Sequence, residues 1–176
     1  MNRKMFFWKS SVLVVFLFLE FLVSAQSFTN LKKIESSTNY LQNITLLKNQ
    51  LKSCTKISPR YLEVSKLLVK NYLHSNNYQA AQKHCHENIL LSKKYKSKLA
   101  EAIYDKLLGN TYYYLKQIDK ALFYWRKCVI ISVENNYYSL SKNCYNNFAA
   151  IEIEKLNYIK AEEFLLKAIE FGKKEK

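Results

Sequence analysis

Only two glycines and one proline occur among 176 residues, which leaves little material for hairpin turns, β-bulges or a glycine-rich phosphate loop. Strands are therefore not expected, and the abundance of Leu, Lys, Ala and Glu points to an all-helical chain. Acidic residues are also scarce, 14 against 28 Lys and Arg, giving a formal charge of +14. No basic run reaches five residues, however, so the excess reads as lysines solvating helix surfaces rather than as a nucleic-acid footprint. Nucleophile elbows and zinc spacings are missing, and the three histidines have no nucleophile partner. The chain is expected to be neither an enzyme nor the holder of a cofactor or metal. Its apolar fraction of 49% is enough to build a core, which excludes a disordered chain.

The first 25 residues, "MNRKMFFWKSSVLVVFLFLEFLVSA", place Arg3, Lys4 and Lys9 before an apolar run from Val12 to Leu19 and end in the small pair Ser24 and Ala25. That order is the pattern of a secretory signal peptide, with cleavage expected after Ala25. Lys9 and Glu20 keep the run below the roughly 20 apolar residues of a membrane span. Losing three bases (Arg3, Lys4, Lys9) and one acid (Glu20) lowers the charge from +14 to +12, so the basic excess belongs to the mature part. The expected location is the periplasm or cell envelope, where anionic headgroups and acidic polymers replace nucleic acid as the available anionic partners. Binding driven by that charge would fall steeply with salt.

A period of forty runs through the remainder. Ala81, Ala121 and Ala161 are in register, and the columns Val64/Tyr104/Cys144, Leu68/Leu108/Phe148, Val69/Gly109/Ala149, Tyr78/Ile118/Tyr158, Cys85/Trp125/Leu165 and Ile89/Val129/Ile169 stay apolar or small. Each period carries two amphipathic helices, the first near 60–74, 100–115 and 139–155, the second near 78–93, 118–133 and 158–171. Gly109 falls mid-helix, where glycine costs about 1 kcal/mol against alanine. Its position twelve residues before Ala121 predicts a close crossing of the two helices, with a side chain at 109 forcing the backbones apart. Residues 38–54 carry Leu41, Ile44, Leu47 and Leu51 on one helical face and are expected to cap the first pair. Gly172 reads as a helix C-cap.

"LGNTYYYLKQIDKALFYW" resembles a tetratricopeptide repeat, whose pattern is W-x2-L-G-x2-Y followed by A-x3-F. Leu108, Gly109, Tyr112, Ala121 and Trp125 fill it, while Asp105 stands where the pattern has Trp, no proline closes the repeat, and the period is 40 rather than 34. The resemblance implies an α-solenoid of three helical hairpins, at about 60–93, 100–133 and 139–172, with an N-terminal capping region (26–59) and a basic tail (173–176). It also implies a protein or peptide ligand held by the inner helices, through a groove of Lys66, Lys70, Lys106, Asn110, Tyr113, Asn146 and Asn147. In one class of the family a Lys/Asn clamp grips a peptide carboxylate, and Lys106, Asn110 and Asn147 match part of it. A signal peptide followed by such repeats further resembles the extracytoplasmic sensor part of bacterial membrane histidine kinases and helix-turn-helix regulators. The last repeat has no polar closing helix, so self-association through residues 142–172 is expected.

In His84, Cys85, His86 and Glu87, neighbours at i, i+1 and i+2 point in different directions on a helix, whereas metal pairs usually sit four apart, so the run reads as exposed histidines beside a core thiol rather than as metal ligands. Cys128 and Cys144 occupy core positions on consecutive helices. They are read as small hydrophobes, with a disulfide as the alternative. The sequon "NIT" at 43–45 carries no weight.

Overall fold

The computed structural model describes residues 31–175, so the expected signal peptide lies outside the described residues. The chain divides into two units, Met1–Asn39 and Tyr40–Lys176. Of the first, residues 31–36 are helical.

The second unit is an all-α solenoid, with no strand among the described residues. A single helix, α1 (Tyr40–Ser53), precedes three antiparallel hairpins: α2 (Pro59–His74) with α3 (Tyr78–Lys94), α4 (Lys98–Tyr114) with α5 (Ile118–Glu134), and α6 (Tyr138–Glu154) with α7 (Tyr158–Lys174). Each helix packs on the next, and the first helices of consecutive hairpins also touch. The forty-residue period has a simple origin. Helices α3 to α7 each have 17 residues, and three-residue links join them.

Every link is built alike. Asn76, Lys96, Lys116, Asn136 and Leu156, at every twentieth position, take the left-handed conformation. In the first link Asn77 N–H donates to Tyr72 C=O at 2.8 Å and Asn76 N–H to Leu73 C=O at 3.1 Å, the pair of bonds that closes a Schellman turn. The same pair recurs after α3, α4, α5 and α6. Asn tolerates that conformation, whereas Lys and Leu carry its steric cost. The chain thus turns five times without glycine. Starts are fixed by Ser58, Asn77 and Ser97, whose side chains accept from Tyr61, Ala80 and Ala100 N–H, with Pro59 preset for the first turn of α2.

Most repeat columns lie in the core. Ala81, Ala121 and Ala161 are buried, as are Val64, Tyr104 and Cys144 and also Leu68, Leu108, Phe148 and Ala149. Several expectations are corrected. Gly172 is not a C-cap, because α7 continues to Lys174 and takes the first two residues of the expected tail with it. Leu41 faces away from the capping contact and is exposed, the buried face of α1 being Asn43, Ile44, Leu47 and Leu51. The last members of three columns are uncovered: Tyr158 is 64%, Leu165 41% and Ile169 54% exposed, against 0% for Cys85 and 7% for Ile89. Among the described residues no further hairpin packs over α7.

Gly109 is tight for a different reason from the one expected. A Cβ at that position would lie 2.5 Å from Nε1 and 3.0 Å from Cγ of the Trp125 indole, so a side chain rather than the facing backbone fills the space. The indole is then held on both sides, Nε1 donating to Asn110 Oδ1 at 2.9 Å and the ring meeting Phe148 edge-on.

Candidate functional site

The first helices α2, α4 and α6 carry the groove residues. Lys66, Lys106 and Asn146 follow one another at forty-residue spacing; Lys66 and Asn146 are exposed and Lys106 is half-buried. Burial pushes the Lys106 amine below the ordinary lysine value, and the charge of Lys66 adds to the effect. Lys70 is exposed one turn along α2.

Asn110 and Asn147 meet directly. Asn147 Nδ2 donates to Asn110 Oδ1 at 3.1 Å, the oxygen that also accepts from Trp125, so one carboxamide ties α4 to both α5 and α6. The consequence is a fixed pair of amide side chains whose NH₂ groups still have capacity for an incoming carbonyl or carboxylate. Tyr113 stands beside them, its ring 6.0 Å from the indole and its hydroxyl donating to Glu154. Tyr114 instead stacks on Tyr78.

Behind the groove, α4 is lined with polar groups that motif reading missed. Tyr104 donates to Ser65 Oγ at 2.8 Å, and the same oxygen lies 2.7 Å from His84 Nε2. Tyr61 donates to Asn88 Oδ1 at 2.7 Å on the neighbouring turn. His84 is therefore not the exposed histidine expected. Burial drives its pKa down to about 4, with Lys56 and Lys48 adding repulsion. His86 is half-buried too, its ring edge-on to Tyr124. Asp105, where the repeat pattern has Trp, is fully buried. One of its oxygens accepts from Lys127 Nζ at 3.3 Å and the other has no partner, so burial raises its pKa against the pull of Lys127. Its place in the repeat pattern, where Trp is usual, is the sequence signal for an inward-facing position.

Cys128 on α5 and Cys144 on α6 are adjacent free thiols. Cys144 donates to Cys128, holding the Cys128 thiol below its ordinary value, while the same bond and then burial raise that of Cys144. Cys85 is buried beside Thr111, and desolvation pushes its thiol up against the pull of that hydrogen bond. Burial excludes reagents from these three, whereas Cys54 is half-exposed. Iodoacetamide is expected to add one label to the native protein and four after denaturation, read by intact mass. Two labels in denaturant would instead mean that Cys128 and Cys144 are bonded. Among the described residues no three His, Cys, Asp or Glu side chains are grouped to hold a metal ion, and no helix is long and apolar enough to cross a membrane.

The fold defines the class: a solenoid of α-helical hairpins. No protein family's sequence profile matches the chain, and no curated protein does. Among solved structures the chain is similar to BtubC (BKLC) from P. vanneervenii, with a TM-score of 0.64 over 77% of this chain at 18% identity. It spans little more than half of that structure, 57% of its length, and at that identity the likeness concerns fold alone.

Proposed function

We propose that this chain is an exported, non-catalytic binding module of the tetratricopeptide type, which takes an extended protein or peptide ligand along α2, α4 and α6. The observation that carries the reading is the Asn110–Asn147 pair, held by the Trp125 indole and followed by the exposed cations Lys66 and Lys70. Fixed amides beside lysines suit a peptide backbone with an acidic side chain or free carboxylate, since hydrogen bonds to a charged acceptor are roughly twice as strong as neutral ones. The exposed apolar face of α7, with Leu166 and Ile169, supports self-association as a second contact of the module.

The test is selection of peptides from a phage-displayed library, followed by titration of the enriched sequences. Acidic or carboxylate-terminated peptides are expected, losing at least tenfold in affinity with Lys66→Glu and with Asn147→Ala. Selected peptides that bind both variants as well as the parent protein would place the ligand elsewhere.

A further inference from the structure

Two successive gaps between second helices can be compared residue by residue, because the register of forty relates them. In the gap between α3 and α5 the space is filled. Tyr112 from α4 stacks on Tyr124 with ring centroids 5.4 Å apart, Gln82 donates to the Tyr112 hydroxyl at 2.7 Å, and His86 closes the edge of Tyr124. The cation of that gap, Lys127, is paired with Asp105.

In the next gap, between α5 and α7, the counterpart of Tyr112 is Glu152. A carboxylate cannot stack, and it folds down to Lys155 at 3.4 Å, Lys160 at 4.0 Å and Asn157 at 3.0 Å. The counterpart of Asp105 is Tyr145, so Lys167, standing where Lys127 does, meets a ring 5.6 Å away instead of an acid. Arg126, standing where His86 does, has no acidic partner among the described residues. The result is a pocket of about 520 Å³, floored by Tyr145, Phe148 and Phe164 and walled by Leu122, Val129 and Ile130. Its four cations face a single carboxylate.

We propose that this pocket binds a single-chain amphiphile with an anionic head, of the medium-chain fatty-acid type. The volume falls within the range of small-molecule sites, about 300–1,000 Å³. The aromatic floor and aliphatic wall take the chain, and Arg126 with Lys167 takes the carboxylate, Arg through a two-pronged contact. The positive excess selects the sign of the head, and the apolar lining selects against small hydrophilic anions. The pocket shares no residue with the groove of Lys66, Asn110 and Asn147, so either site stands or falls without the other.

Isothermal titration of the purified protein with decanoate, below the concentration at which it forms micelles, tests the site. Saturable one-to-one binding is expected, at least tenfold tighter than for decanol and absent for decyltrimethylammonium. Glu152→Tyr, which supplies the ring present at Tyr112, is expected to abolish binding. The surface pair Arg126→Gln with Lys167→Gln is expected to weaken it at least tenfold with an unchanged thermal melt, and decides the matter should the tyrosine variant not fold. Equal binding of decanoate and decanol, undiminished binding by either variant, or no saturable binding at all would overturn the proposal.

Discussion

Trp125→Ala is expected to cost about 3–5 kcal/mol and to reverse the sign of a second change, Gly109→Ala, made in the same protein. In the parent, a methyl group at 109 collides with the indole and forces it off its place between Asn110 and Phe148. Overpacking of this kind costs about 1–3 kcal/mol, which exceeds the gain of about 1 kcal/mol from replacing a mid-helix glycine. With the indole gone the collision goes too, and only the propensity gain is left. Gly109→Ala should then stabilise. Urea titrations of the four proteins form a double-mutant cycle, and a Gly109→Ala penalty of equal size in both backgrounds would show that something other than Trp125 excludes the side chain.

The second large effect is loss of stability in mild acid. His84 titrates near 6.5 when unfolded and near 4 when folded, because its ring is buried against Tyr104 and Ser65 and repelled by Lys56 and Lys48. Above pH 6.5 both states are neutral and the group contributes nothing to the pH dependence. Between 6.5 and 4 the unfolded chain takes up a proton that the folded chain refuses, so stability falls with pH, by about 3 kcal/mol once both titrations are passed. Asp105 acts in the opposite sense. Its raised pKa means that the folded form gains stability as pH falls through the range between its unfolded and folded values. Comparing the parent with His84→Gln isolates the histidine, since Asp105 is common to both. The difference in unfolding free energy is expected to open as pH drops from 6.5 to 4, and parallel curves would mean that His84 is accessible to protons in the folded state.

Much of the architecture can be read from the chain because the repeat states it three times. One amphipathic helix is weak evidence, but Ala81, Ala121 and Ala161 in register, with apolar columns on either side, fix both the helix boundaries and the pairing into hairpins. The observed ends of α2 to α7 lie within about three residues of those expected. The groove was legible only as a set of positions on three first helices. That Asn110 and Asn147 are joined while Lys106 is partly withdrawn depends on side-chain directions that spacing does not encode.

The errors share a cause. Leu165 and Ile169 belong to core columns by pattern yet are exposed, since a column predicts which face is apolar and not whether another helix arrives to cover it. Nothing local marks His84 as inward-facing, since its buried partners Ser65 and Tyr104 are 19 and 20 residues away. Gly109 does mark a close contact, but its partner is the Trp125 indole and not the facing backbone. Local sequence marks a missing side chain without saying whether backbone or an indole takes the room.

By itself, then, the sequence determined an all-helical chain, a unit of forty residues and three hairpins behind a capping helix, because helix periodicity and turn spacing are local and repeated. Tertiary structure alone decided that Trp125 fills the space above Gly109, that a histidine is half-buried and an aspartate fully buried, and that one inter-helix gap is closed by a tyrosine stack while the next stands open at Glu152. Those outcomes depend on which side chains from different helices compete for the same volume, a quantity that exists only once the hairpins are packed.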